Sequence, residues 1–459
     1  MGDETVAPDG DETSSQPVCT KGRYHCHARI VTGGAARRIS TRAVGPTPDG
    51  YGPADLQSAY RIDPKTIATS TPPTVAIIDA YGYAALEADL GAYRSQFGLP
   101  PCTIANGCLK IVNQLGQTTN LPPDPPADDD WRIETALDID MASAACPKCK
   151  LLVVQAPDNV GDGLESSQAT AVSLGAAVIS NSWGGPENPQ QPVATSGIEE
   201  FFNHPGVAIF VSAGDAGYND QLGDLLMPKQ PVGPDYPATS AHTIAVGATR
   251  LLRAPGTPRG WTESTWAPIT GMPDHGAGGS ACSNSVPKPA YQAASPCTFK
   301  ATADIAAVGD PATGVAVYTS AVNGGWIVIG GTSASAPFVA AIFAAAGLGA
   351  TASGAMLAAS TAKLNDVTSG SNGTCGTQTL LCNAAKGWDG PTGFGTPNAS
   401  AFIPGSTGTG TGSGSGGQSD TSGGDQDVSG GCSTGSGAGS GAGLLLGVAL
   451  LGLRRRRRA

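Results

Sequence analysis

Val207-Ala208-Ile209-Phe210-Val211-Ser212-Ala213-Gly214-Asp215-Ala216-Gly217 decides how the chain folds. The apolar run is too short for a helix and shows no alternation, so it reads as a strand buried on both faces. It ends on an acid bracketed by glycines. The same texture recurs along the chain: strands at Thr74–Ile78, Leu151–Gln155, Ala177–Ser180, Thr243–Gly247 and Trp326–Ile329, with helical stretches around Ala84–Phe97 and Leu164–Gly175. Continuous apolar strands separated by helices predict an α/β fold: a doubly wound, mostly parallel sheet with helices on both faces. Asp215 then sits at the carboxyl edge of that sheet, where ligands of open α/β sheets gather. A simple turn aspartate is the competing reading.

Gly330-Gly331-Thr332-Ser333-Ala334-Ser335-Ala336-Pro337 leads into the alanine-rich run Phe338-Val339-Ala340-Ala341. This reads as a serine at the start of a buried helix, where free N–H groups and the helix dipole favour developing negative charge. A serine hydroxyl needs a base to become a nucleophile. The five histidines are His25, His27, His204, His242 and His275. None stands in a His-Gly-Thr helix start between Asp79 and Ser333, so an Asp-His-Ser site is disfavoured, although Asp79 closes a strand suited to it.

The base candidate lies in Asp128-Asp129-Asp130-Trp131-Arg132-Ile133-Glu134-Thr135-Ala136-Leu137-Asp138-Ile139-Asp140-Met141. The aspartates suit a helix N-terminus. Glu134, Asp138 and Met141 share one face at i, i+4 and i+7. Like charges four apart repel on a surface helix; buried, they would share a proton at raised pKa. On this segment alone an ordinary acidic surface helix competes with that reading.

Together these segments resemble the sedolisin family of serine-carboxyl peptidases over residues 48–403. The resemblance rests on Gly331-Thr-Ser-Ala334, on Glu134-Thr-Ala-Leu-Asp138 and on Gly214-Asp215. It is extended by Ser180-Asn-Ser-Trp-Gly-Gly-Pro-Glu187, Tyr236-Pro-Ala-Thr-Ser240, Ala245-Val-Gly-Ala-Thr249 and Gly309-Asp-Pro-Ala-Thr-Gly314. It implies a subtilisin-like fold and a peptidase of proteins and peptides most active below about pH 5–6. In that scheme Ser333 is the nucleophile, Glu134 the base, Asp138 its partner and a protonated Asp215 the oxyanion donor. Asp79 is expected to keep contact with the acids, and Trp183 to pack beside them. The rival class is a catalytically idle surface module that uses the fold for adhesion.

Leu364-Asn-Asp366-Val367 and Lys386-Gly387-Trp388-Asp389 resemble the family's calcium site. The resemblance implies one Ca2+ bound by side chains of Asp366 and Asp389 and carbonyls of Val367, Ala385 and Gly387, an oxygen-rich set that suits the ion. The family pattern has glycine where Ala385 stands. Cys375 and Cys382 lie between the two loops.

Composition narrows the setting. Hydrophobic residues make up 40% and charged residues 14%, which fits a globular core. Net charge is −11 even with Arg454–Arg458 counted, which argues against a nucleic-acid partner. Ten of the eleven cysteines fall into neighbouring couples: Cys19/Cys26, Cys102/Cys108, Cys146/Cys149, Cys282/Cys297 and Cys375/Cys382. Such couples suggest local disulfides and an extracytoplasmic, oxidising compartment. Cys146-Pro147-Lys148-Cys149 also admits a redox pair or half a zinc site.

Residues 1–47 carry few apolar residues and no clear period. They read as a separate N-terminal segment in which His25-Cys26-His27 is either a metal-binding motif or a loop beside a Cys19–Cys26 bridge. Met1–Pro17 lacks the basic and apolar regions of a secretory leader, so either export uses another route or, the favoured expectation, the true start lies upstream of Met1. The family implies a large pro-domain that these 47 residues do not match. Residues 404–431 read as a Gly/Ser-rich linker. Residues 432–459, with Cys432, Leu444–Leu453 and five arginines, resemble the myxobacterial C-terminal sorting signal. That implies display at the cell surface; separately, the chain is expected to be a monomer.

Overall fold

The computed structural model describes residues 13–32, 48–188, 190–222, 233–269 and 275–403. The linker, the sorting tail and Cys432 lie outside the described residues.

Three short strands come first: β1 (Ser15–Pro17), β2 (His25–Cys26) and β3 (Arg29–Val31). Helix α1 (Pro53–Ala59), β4 (Thr74–Ala80), helix α2 (Leu86–Gln96) and β5 (Leu109–Asn113) follow. Next come helix α3 (Trp131–Ala145), β6 (Lys150–Ala156), helix α4 (Gly163–Ser173), β7 (Val178–Asn181), β8 (Trp183–Pro186) and β9 (Ala208–Ser212). The strands continue as β10 (Ala216–Tyr218), β11 (Asp235–Tyr236), β12 (Ile244–Ala254), β13 (Gly260–Thr265) and β14 (Ala277–Pro287). Strands β15 (Phe299–Thr302), β16 (Ile305–Val308), β17 (Val315–Tyr318) and β18 (Trp326–Gly330) lead into helix α5 (Thr332–Ala345).

The central sheet has the order β13-β12-β9-β7-β4-β6-β5, with β16 also paired to β12. Every pairing in it is parallel except β12 with β13. Strand β9 is buried along its whole length, as an unbroken apolar run requires. Helices α3 and α5 pack against each other and against this sheet. Both are almost wholly buried: in α3 only Arg132 escapes, and in α5 every residue is covered.

Two expectations need amending. Trp326–Gly330 is not a strand of the parallel sheet; it forms an antiparallel hairpin with β17 and lies beside β3. An apolar run of this length fits either kind of strand, so texture alone does not separate them. The segment before residue 48 is also more than a loop. Strand β2 adds to β8, and β3 joins β18 and β1.

Candidate active site

Helix α3 carries Glu134 and Asp138 inward, and both are fully buried. Asp130 caps the helix by accepting from the Arg132 N–H at 3.2 Å. Asp129 instead accepts from the N–H groups of Thr20 and Lys21, at 2.8 and 3.1 Å. The acidic-surface reading of this helix is therefore set aside. Asp79, at the end of β4, is also fully buried.

Burial raises Asp79 to about 7. Burial pushes Glu134 well above the carboxylate range, and the Asp79 charge adds to this, while the Ser333 hydroxyl and Asp138 pull it back. Asp138 is raised by burial, then by Asp79 and Glu134, with the Ser182 hydroxyl opposing. None of the six oxygens of these acids meets a donor in hydrogen-bonding geometry. Asp79 acts on the pair through its charge. Three buried carboxyl groups without a neighbouring cation cannot all be ionised, so the cluster holds protons between them and leaves a carboxylate to act as base. The Trp183 indole N–H donates to the carbonyl of Ile78, the residue before Asp79, at 2.9 Å.

Ser333 occupies the second position of α5 and is fully buried. Its Oγ donates to the Ser182 carbonyl at 3.2 Å. Its N–H donates to the carbonyl of His27 at 3.1 Å. The turn before it needs Gly331: φ is +104°, and a Cβ there would lie 2.0 Å from the His27 carbonyl oxygen and 2.7 Å from Asp215 Oδ2. Those two oxygens thus converge on one point. Asp215 Oδ1 accepts from the Thr332 N–H and Oγ1, at 2.8 and 2.9 Å, while Oδ2 has no partner. Burial raises Asp215 to about 6, against the opposing charges of His27 and Arg29.

The four residues picked from sequence thus come together around the start of α5. Sequence reasoning missed Ser182, Thr332, Ser212 and Asp235. It also missed that the segment around His27 lies against Ser333. One usable signal existed: His25 and His27 stand two apart, the spacing that shares a face in extended backbone.

The second cluster lies in the loops after α5. Asp366 accepts from the Gly387 N–H at 3.3 and 3.1 Å through its two oxygens. Asp389 Oδ2 accepts from the Ala385 N–H at 2.9 Å, and Oδ1 from the Thr392 N–H and Oγ1 at 2.9 and 2.8 Å. Burial, with the Asp366 charge adding to it, raises Asp389 to about 7. Two carboxylates that repel across a loop turned by Gly387, at φ +86°, fit a hard dication. All five expected cysteine couples are bonded, including Cys146–Cys149, which removes the redox and zinc alternatives there.

The family model for peptidase S8, the subtilase family, matches residues 132–395. The chain belongs to the subtilase family. Kumamolisin from Bacillus sp. (strain MN-32) is 30% identical over 384 residues, covering 79% of this chain and 65% of that protein. Sedolisin from Pseudomonas sp. (strain 101) is 26% identical over 395 residues, covering 81% of this chain and 64% of its own. The chain therefore spans a little under two thirds of these relatives. Among solved structures, Pseudomonas sedolisin, a serine-carboxyl proteinase complexed with two molecules of pseudo-iodotyrostatin, is similar with a TM-score of 0.60 and 25% identity. It covers 77% of this chain and 97% of that one. The subtilase match agrees with the parallel sheet and the serine helix, and the likeness to a serine-carboxyl proteinase with the buried carboxyl groups.

Proposed function

We propose that this subtilase is a serine-carboxyl endopeptidase that hydrolyses proteins and peptides in acidic solution. The observation that carries the reading is the His27 carbonyl held on the Ser333 N–H, beside a buried acid cluster that contains Glu134. Ser333 Oγ attacks a carbonyl seated in this way. Glu134 takes the hydroxyl proton as the C–O bond forms, and Asp138 shares and orients that proton. Asp215, protonated on Oδ2, donates to the oxyanion together with the Ser333 N–H. As the tetrahedral intermediate collapses, Glu134 returns its proton to the departing amine and the C–N bond breaks. Water then cleaves the acyl-enzyme by the same route in reverse order and regenerates the serine.

In the same reading the peptidase unit spans residues 48–403. Asp366 and Asp389, with the carbonyls of Val367, Ala385 and Gly387, hold one Ca2+. The ion would neutralise the carboxyl pair and brace the loops; it takes no part in the chemistry. Five disulfides support an extracytoplasmic location. A monomeric state and attachment through residues 432–459 complete the proposal.

Cleavage of a denatured protein at pH 4 by the parent, Ser333→Ala and Glu134→Gln tests the enzyme claim. The parent is expected to cut; Ser333→Ala should fall to background, and Glu134→Gln should lose at least about 10²-fold in kcat. Equal cleavage by parent and Ser333→Ala would remove the claim and leave the adhesion reading.

A further inference from the structure

The segment from His25 to Val31 lies before Ser333 as an extended peptide gripped from both sides. On one side, His25 and Cys26 pair antiparallel with Gly184 and Trp183. The His27 N–H then donates to the Ser182 carbonyl at 3.1 Å. At the centre, the His27 carbonyl accepts from the Ser333 N–H. On the other side, Arg29 and Ile30 pair antiparallel with Gly330 and Ile329. Backbone pairing on both flanks, with one carbonyl on the residue proposed as nucleophile, is the register a substrate peptide would take. The bond so presented is His27–Ala28.

The side chain at this register reports what the adjoining pocket accepts. The His27 ring is buried, with Nδ1 2.6 Å from Ser212 Oγ and Nε2 3.4 Å from Asp235 Oδ2. Ser212 Oγ donates to the Asn181 carbonyl at 3.5 Å, so it is free to accept from Nδ1–H. Asp235 can only accept when ionised, so it calls for a donor at Nε2. Together the two groups suit a ring that donates from both nitrogens, an imidazolium. Gly184 makes the space: a Cβ there would lie 2.8 Å from His27 Cε1 and 3.3 Å from Asp235 Cβ. The His25 ring closes the pocket edge-on, with centroids 5.2 Å apart. Burial opposes charge on His27, but Asp235, then Asp215 and Asp220, hold its pKa above the ordinary value.

We propose that Asp235 and Ser212 form a pocket for an imidazole side chain, so that the site cuts peptide bonds that follow a histidine. His27–Ala28 of the chain itself is the bond seen in that position. An apolar side chain there would leave the mostly enclosed Asp235 carboxylate without its imidazole partner, and sites built around a polar contact reject analogues that lack it.

This inference rests on the peptidase reading, and the test separates the two. Fluorogenic peptides identical except for His, Leu, Phe or Lys before the scissile bond are incubated with the full chain at pH 4–5. Each kcat/KM is then compared for the parent, Asp235→Asn and Ser212→Ala. The parent is expected to cut the histidine peptide at least about tenfold faster than the leucine and phenylalanine peptides. The His/Leu ratio should drop at least about fivefold in both variants, with the change concentrated in KM. Similar rates for His and Leu, or a lysine peptide cut as fast as the histidine one, would overturn the imidazole pocket and leave the peptidase standing. So would an unchanged ratio in both variants. Failure of the parent to cut any peptide would sink the peptidase reading and this inference with it.

Discussion

Asp215 holds its two oxygens in different company. Oδ1 is fixed by two donors from Thr332, and Oδ2 points to the place where the His27 carbonyl oxygen sits. A carboxylate there would repel a developing oxyanion, whereas a carboxylic acid would donate to it, so the role proposed for this residue depends on its proton. Its pKa, raised by burial to about 6, means that the donor form prevails below pH 6 and disappears as pH rises through that value. Asparagine keeps the shape, can accept from Thr332 through its carbonyl, and donates at every pH. Asp215→Ala is therefore expected to lose about 10²–10³-fold in kcat. Asp215→Asn should stay within about tenfold of the parent, with the alkaline limb of its pH–rate profile moved upward. An alanine variant as active as the parent would dismiss the oxyanion role, and an unmoved limb in the asparagine variant would dismiss the proton.

At the scale of elements, the site is the meeting of α3, α5, the strand ends and the N-terminal segment, and these were unequally legible. The sheet could be read because buried parallel strands write themselves as unbroken apolar runs, as β9 does. Glu134 and Asp138 could be paired because i and i+4 share a helix face; their burial could not, because one helix does not reveal what covers it. Strands β2 and β3 are two and three residues long, too short to show a period. Their partners β8 and β18 lie more than a hundred residues away, so local pattern held no sign of those pairings. The segment's anchor was equally hidden: Asp129 read as a helix cap. It accepts from Thr20 and Lys21, and also from Asn159 Nδ2 at 3.2 Å, which itself donates to the Lys21 and Tyr24 carbonyls at 2.7 and 3.0 Å. Loss of this carboxylate leaves two backbone donors short of a partner, a cost of about 1–3 kcal/mol each if they stay dry. Asp129→Ala should therefore speed hydrogen exchange of amides in residues 19–31 by about tenfold or more, with β4 and β6 still protected. Unchanged exchange in residues 19–31 would mean that the pairing with β8 and β18 holds the segment unaided.

For the whole molecule, the dominant electrostatic fact is how many carboxyl groups are buried with raised pKa values. Burial is the leading cause for Asp79, Glu134, Asp138, Asp140, Asp215 and Asp389 alike. Asp235 and Glu263 run the other way, each lowered by a cationic partner that outweighs burial, His27 and Arg259 respectively. The first group outnumbers the second. An acid whose pKa is higher folded than unfolded binds more protons in the folded state between those two values, so stability falls as pH rises across that interval. The unfolded carboxyls titrate near 4, while Asp79 and Asp389 titrate at about 7 and Asp215 at about 6 in the folded protein. The interval of loss therefore runs from about pH 4 to about pH 7. Scanning calorimetry of metal-free Ser333→Ala, which cannot digest itself if the proposed role is right, should show Tm lower at pH 7 than at pH 4.5 by about 5 °C or more. Added Ca2+ should narrow the gap, because an ionised Asp389 gains a partner. A Tm that climbs between those pH values without metal would mean that the acid cluster is solvated or paired in solution, and the proton-holding site proposed here would lose its physical basis.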